Sequence, residues 1–373
     1  MNHAIRDHAL LTPSSAHRWL KCTKAPRFEE QFPRTESEFA KEGTTAHEVC
    51  EAILRKKDQE VKDIAGVTDD MKMYANHYNS YIQEIANTYK DPLIEIETRL
   101  DLSDYIPESF GTADCIIIGD NDLHVIDYKY GLGVEVSALN NPQMMIYALG
   151  ALSKYGWMYE GITKVHMHIF QPRMHNICES SMSVIQLKEW GESVLVRKAK
   201  EAFNGEGEYR VGEWCRFCRG GGACKKRLTE EMNRFKDMDE NPKDNIADGA
   251  TIAQWLDNSD RISETLNAVR EHALTIAMSE RGSVPGYKVV RKRTLRRWQK
   301  EEEFVEMLRG KGISDSTFYN MKLKGITELE RYLAQFNINC TPYIYKPEGA
   351  PEIVPIDDKR EEMVSDEQRF SNQ

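Results

Sequence analysis

Asp114, Asp127 and Lys129 are the residues whose types and spacing most directly suggest chemistry. GTADCIIIGD and LHVIDYKY read as strands, and the GDND between them suits a tight hairpin turn with positive φ at Asp120 and Asn121. A loop centred on those two residues pairs positions whose numbers sum to 241. Ile118 then opposes Leu123, Ile116 opposes Val125 and Asp114 opposes Asp127, with Lys129 two residues further along the same face. Opposed carboxylates on an apolar face destabilise it unless a cation compensates, and hard oxygen donors suit Mg2+ or Mn2+. The plain alternative is a solvated strand end where Lys129 is the salt-bridge partner of both aspartates. Spacing leaves the two readings open.

The second group is Cys215-x2-Cys218-x5-Cys224, three thiols in the glycine-rich loop GEWCRFCRGGGACKKR. One short segment can thereby offer three ligands to one centre. Three is one short of a closed tetrahedral set, so spacing alone suggests zinc with a distant fourth ligand, and chance clustering is the alternative. Cys50 and Cys115 fall on expected core faces and read as buried thiols, whereas Cys178 and Cys340 fit no pattern.

The elements that must position these residues follow from periodicity. Short helices are expected at Ser14 to about Cys22, at Ser37 to about Lys57 with a break near Gly43, and at about Asp70 to Tyr89. IEIETRLDL, GTADCIIIGD and LHVIDYKY are strands, Pro142 to about Tyr155 a helix, TKVHMHIFQP a strand and LKEWGESVLVRKAKEAF a helix. The fold class is α/β with a mixed central sheet flanked by helices. The expected domains are residues 1–236, a mainly helical basic appendage at 237–346 with a long helix from Ile246 to about Arg281, and a polar acidic tail at 347–373.

The 373 residues are 40% hydrophobic and 29% charged, as in a globular protein. No signal peptide or membrane span is expected, and the implied location is cytoplasmic. A net charge of −10 argues weakly against nucleic acid, but Lys288–Lys300 holds seven basic residues and no acidic one. Tyr287 and Trp298 frame that run, an arrangement that suits stacking on single-stranded bases and equally a solvated strand.

The motifs together resemble the PD-(D/E)XK nuclease superfamily: G-x-x-D from Gly111 to Asp114, a hairpin, then D-x-K at Asp127 and Lys129. Its RecB-like branch carries G-x-x-x-H-x-x-x-E, matched by Gly43, His47 and Glu51, and Q-x-x-x-Y, matched by Gln143 and Tyr147. Ala113 stands in place of the family's proline, and Asp127 where many members have glutamate. The resemblance implies a restriction-endonuclease-like core. Mg2+ or Mn2+ would be held by His47, Asp114, Asp127 and the Tyr128 carbonyl, with Lys129 orienting the attacking water. Gln143 and Tyr147 would hold DNA or brace Lys129. Glu51 has a plainer role available as partner of Arg55 one turn on.

A subset of these nucleases, the AddB subunit and CRISPR-associated exonucleases among them, holds a 4Fe-4S cluster with one cysteine before the core and C-x2-C-x5-C after it. By that resemblance Cys22 joins Cys215, Cys218 and Cys224, while spacing alone keeps zinc open. The chain also resembles phage-type members of the superfamily, which implies an exonuclease acting on single strands or duplex ends in phage recombination or replication. Proteins of those processes would be its partners. Lys225, Lys226, Arg227, Arg291, Arg293, Arg296 and Arg297 are the candidate DNA contacts. The competing readings are a non-catalytic DNA-binding or recombination-mediator protein on the same fold, and a zinc-stabilised interaction module.

Overall fold

The computed structural model describes residues 9–34, 38–57, 59–237, 249–280, 282–290, 301–310 and 326. Four helices come first: α1 (Ala16–Trp19), α2 (Ala25–Glu29), α3 (Glu38–Leu54) and α4 (Asp69–Ala86). Thr68 caps α4 by accepting the Met71 amide. The chain then alternates into β1 (Leu93–Asp101), β2 (Phe110–Gly119) and β3 (Asp122–Tyr128), an antiparallel meander. α5 (Pro142–Tyr155) crosses over to β4 (Lys164–Gln171), which lies parallel to β3, and β5 (Asn176–Ser183) returns antiparallel. The result is α/β, a five-stranded mixed sheet in the order β1-β2-β3-β4-β5 with helices flanking it.

Both faces are covered, which explains the unbroken apolar run in β2. Ile116, Ile118, Leu123 and Val125 pack under α5 against Met144 and Ala148. Cys115, Ile117, Ile126 and Tyr128 pack on the other face with Val49 and Cys50 of α3 and Ala75, Tyr78 and Ile82 of α4. Each such aliphatic side chain withdrawn from water contributes roughly 1.5–3 kcal/mol before entropy is counted. Cys50 and Cys115 are buried thiols, as expected.

On the α4 face, His124 of β3 and His166 and His168 of β4 lie side by side, the first two rings stacked at 4.4 Å. Burial, and then the neighbouring imidazoles, lower His124 to about 3. Burial lowers His168 to about 4. Both rings are therefore neutral at ordinary pH.

Several elements differ from the sequence-based expectation. α3 runs unbroken through Gly43, because flanking residues on both sides pack as one helix. β5 was not expected: its NICESSMS alternates only weakly, and an edge strand needs just one buried face. α6 (Val184–Trp190) opens with a Ser183–Gln186 capping box and continues through a π-turn, Gly191–Leu195, into α7 (Val196–Asn204). α8 (Lys225–Asp237) and α9 (Gly249–Ser279) follow. Tyr287–Val290 is irregular rather than strand.

The chain divides into two compact units at Val290/Arg291 rather than near residue 236. The reason is that polar side chains fasten α9 to the first unit. Arg261 donates to Glu231 at 2.9 Å, Arg227 to Thr265 at 2.9 Å, and Arg216 pairs with Glu264 at 3.2 Å. In the second unit the described helix is α10 (Glu301–Gly310). No described helix is long and apolar enough to cross a membrane.

Candidate functional site

The β2–β3 ladder runs from Cys115 opposite Ile126 to Gly119 opposite Asp122, the register set by the turn. Asp120 is left-handed at φ +50°, while Asn121 keeps a negative φ. At Asp114 the ladder stops. There the carboxylate takes over from the backbone, and Asp114 Oδ2 accepts the Tyr128 amide at 2.7 Å.

A face change coincides with that point. Ile118 and Ile116 belong to the α5-side core, and the next β2 residue in that core is Ala113, not Asp114. The neighbour on β1, Glu97, is left-handed at φ +46° and is skipped as pairing passes from Ile96–Cys115 to Thr98–Ala113. Such a local twist re-aims side chains. The expectation that Asp114 and Asp127 continue one apolar face is thus corrected: Asp114 turns toward α3.

There it meets His47, whose Nδ1 lies 3.6 Å from Asp114 Oδ2 and 3.9 Å from Glu97 Oε1. The donor atoms of His47, Glu97 and Asp114 all fall within 4.8 Å of one another, close enough to share one cation. Glu97 was missed from the sequence. The available signal was its register position opposite Asp114, which the turn-based pairing did not extend to β1. Glu51 takes the plainer role, bonded to Arg55 at 2.8 Å.

Asp127 is buried and held by both neighbours the motifs brought together. Its Oδ1 accepts from Gln143 Nε2 at 2.8 Å, and its Oδ2 sits 2.7 Å from Lys129 Nζ. That ion pair, closed inside the protein, ties the two catalytic candidates to each other. Gln143 Oε1 also accepts from Lys129 at 3.3 Å, so one amide spans acid and base. Asn141 and Pro142 begin α5 here, the Asn141 side chain accepting the Gln143 amide and so fixing Gln143 in the first turn. Tyr147, one turn on, is buried beside Gly111. A methyl at Gly111 would lie 2.8 Å from the Tyr147 ring and 2.9 Å from Pro13, which explains a residue without a side chain there.

The charges are strongly coupled. Burial raises Asp114 to about 7, with the Asp127 and Glu97 carboxylates adding to it and His47 and Lys129 opposing. Burial disfavours a charged His47, yet Asp114 and Glu97 outweigh it and raise the imidazole to about 9. Burial likewise works against a charged Lys129, but Asp127 and Asp114 hold it protonated. The crowded Asp114 and Glu97 carboxylates beside the His47 imidazole fit a hard divalent cation.

The four expected cysteines line one small cavity of about 20 Å3, together with Arg18 and Arg227. Cys22 follows α1, and its sulfur accepts the Arg210 amide at 3.5 Å, while that of Cys215 accepts the Gly212 amide at 3.5 Å. Among the described residues all seven cysteines are free thiols. No three of the cysteine sulfurs lie within 4.8 Å of one another. The thiols thus line one cavity without forming a closed ligand set for a single tetrahedral ion. Burial raises Cys22 and Cys215 and pushes Cys218 up to about 12, a cost that a cationic centre would reverse.

Of the candidate DNA contacts, Lys225 and Lys226 are exposed, Lys226 paired with Glu230 at 2.9 Å. Arg227 is not such a contact. It is 3% exposed and spent on the Cys215 carbonyl and Thr265, since a cation beside the cysteine cavity must find partners inside. Arg291, Arg293, Arg296, Arg297 and Trp298 lie outside the described residues.

An α/β unit with an acidic side-chain cluster bearing a histidine and a lysine, and a separate cysteine-lined cavity, is the class of protein defined so far. The chain belongs to the family described as "Protein of unknown function (DUF2800)", which it matches over residues 8–361. Among solved structures it is similar to one titled "Crystal structure of SSO0001", at 16% identity and a TM-score of 0.26, over 55% of this chain and 96% of that one.

Proposed function

We propose that this chain is a metal-dependent deoxyribonuclease built on a restriction-endonuclease-like core, of the RecB-like kind. The observation that carries the reading is the pairing of two constellations. Asp127 and Lys129 are locked together by Gln143, directly beside the His47–Glu97–Asp114 group.

Mg2+ or Mn2+ held by His47, Asp114, Asp127 and the Tyr128 carbonyl, with Glu97 as an added ligand, supplies Lewis acidity toward a phosphodiester. Lys129, kept charged, orients the attacking water and stabilises negative charge developing on the phosphate. Gln143 fixes the Lys129 ammonium, and Tyr147 closes the site from the α5 side. Cys22, Cys215, Cys218 and Cys224 hold a 4Fe-4S cluster whose role is structural, with Arg18 and Arg227 offsetting its negative charge. The preferred action is exonucleolytic, on single strands or duplex ends, in phage recombination or replication.

The test is digestion of labelled single- and double-stranded DNA with Mg2+ or Mn2+ by the wild type, Asp127→Ala and Lys129→Ala. Digestion by the wild type alone supports the reading. Equal digestion by all three, or none by the wild type, overturns it.

A further inference from the structure

We infer that His124, His166 and His168 form a second metal site for a borderline transition ion such as Zn2+, separate from the acidic cluster. His124 Nδ1 and His168 Nε2 point at each other across 2.9 Å. The donor atoms of the three imidazoles lie within 4.8 Å of one another. Three side chains from adjacent positions of β3 and β4 converge because the parallel register sets His124 beside His166, with His168 two residues on along the same face.

The surrounding hydroxyls and carboxylates dictate which nitrogens carry protons. Tyr89 donates its hydroxyl proton to Asp122 Oδ2 at 3.0 Å. It must then accept from His124 Nε2, 2.7 Å away, which leaves a lone pair on His124 Nδ1 aimed at the centre of the group. Tyr81 lies 2.9 Å from His168 Nδ1 and can accept its proton, freeing Nε2 in the same way. Glu179 holds His166 Nδ1 at 2.7 Å, whereas the contact of Nε2 with Asp122 is long, 3.4 Å, and yields readily. Each imidazole is thus gripped from outside by an oxygen and offers its inner nitrogen, the arrangement that orients metal-ligating histidines.

Imidazole donors favour Zn2+ and its neighbours over Mg2+. Asp122, partly exposed at the start of β3, lies 3.4 Å from His166 Nε2 and marks a route for ion entry. Three imidazoles leave the fourth tetrahedral position to water or another small ligand. Binding shifts the His168 proton from Nε2 to Nδ1 and releases none. Gly119 serves the site as well, since a methyl there would collide with the Tyr89 ring that holds His124.

The test uses full-length protein purified anaerobically, so that the cysteine cavity keeps its contents, then stripped of loosely held ions and titrated with Co2+. One equivalent is expected to bind with the ligand-field absorption of histidine-ligated cobalt and without a sulfur-to-cobalt charge-transfer band. Asp127→Ala is expected to leave that spectrum unchanged. His166→Gln, at the least buried of the three histidines and therefore least disruptive to folding, should weaken binding more than about tenfold, and Tyr89→Phe about tenfold by releasing the outer grip on His124. The inference is overturned if no Co2+ binds, if only a charge-transfer band appears, or if natively folded His166→Gln binds Co2+ as the wild type does. It stands or falls independently of nuclease activity.

Discussion

The acidic cluster and the cysteine cavity are built on opposite principles. The cluster draws its residues from regular elements: Asp127 and Lys129 from the end of β3, Asp114 from β2, His47 from the middle of α3 and Gln143 from the first turn of α5. Its side chains already satisfy most of one another's charge. The cavity takes Cys215, Cys218 and Cys224 from a loop with one short 3-10 turn, and Cys22 from a position some 190 residues earlier. The backbone fixes the first arrangement, so it should survive loss of its ion. In the second, irregular backbone does little of the fixing, and a bound centre would have to supply the rest.

The largest effect expected from that contrast is on catalysis without unfolding. Asp127→Ala and Lys129→Ala should each lower DNA hydrolysis by at least roughly 10^2–10^3-fold. Their circular dichroism and thermal midpoint should stay near wild type. A variant that loses activity by melting would erase the distinction between the two regions.

Cys218→Ser should do the reverse. Removing a link between such distant segments should lower stability by about 2–5 kcal/mol, read by denaturant titration, and make the segment around residues 210–225 sensitive to protease. An unchanged midpoint would show that the cavity needs no centre to hold its shape.

Glu97→Gln tests the ligand that register arithmetic missed. A roughly 10–100-fold rise in the Mn2+ concentration needed for half-maximal activity, with little change at saturation, is the expected result.

The pH response is smaller. His47 is raised from its usual 6.5 to about 9, so it stabilises the fold fully below pH 6.5 and loses that contribution as pH climbs to about 9. Asp114, raised to about 7, makes ionisation of the folded chain costly between its usual value near 3.8 and 7, again lowering stability as pH rises. Below pH 6.5 the lowered His124 and His168 oppose this trend, so the thermal midpoint of ion-free protein should fall from pH 6.5 to 9, and saturating Mn2+ should flatten that slope, with one proton released per ion bound at pH 8. A midpoint that rises between pH 6.5 and 9 would contradict the cluster's electrostatics.

Smallest of all, Lys225→Ala should weaken DNA binding slightly and reduce its salt dependence by about one phosphate contact. Arg227→Ala should act on stability and not on the salt slope.

How much was legible beforehand varied with backbone regularity. The pairing of Cys115 with Ile126 and of Ile116 with Val125 followed from four turn residues, because antiparallel register is arithmetic once the turn is placed. His47 and Gln143 were found through motif spacing on helices and do converge on the two aspartates. Glu97 escaped because a left-handed residue inside a strand inverts the faces downstream of it, and IEIETRLDL gives no glycine to announce it. β5 escaped because serines carry little strand signal. The three histidines went unremarked because two elements separated by α5 must be laid in parallel before they meet.

Gly111 has a mechanical consequence. Pro13 at the entry to α1 and Tyr147 of α5 both press on the space left by its missing side chain. α1 in turn leads directly to Cys22, so the distance from the cysteine cavity to the α5 wall of the acidic cluster is spanned by a few rigid bodies in contact. A side chain at Gly111 would therefore have to push apart Pro13 and Tyr147, so one missing methyl sets how closely the entry to α1 and α5 approach each other.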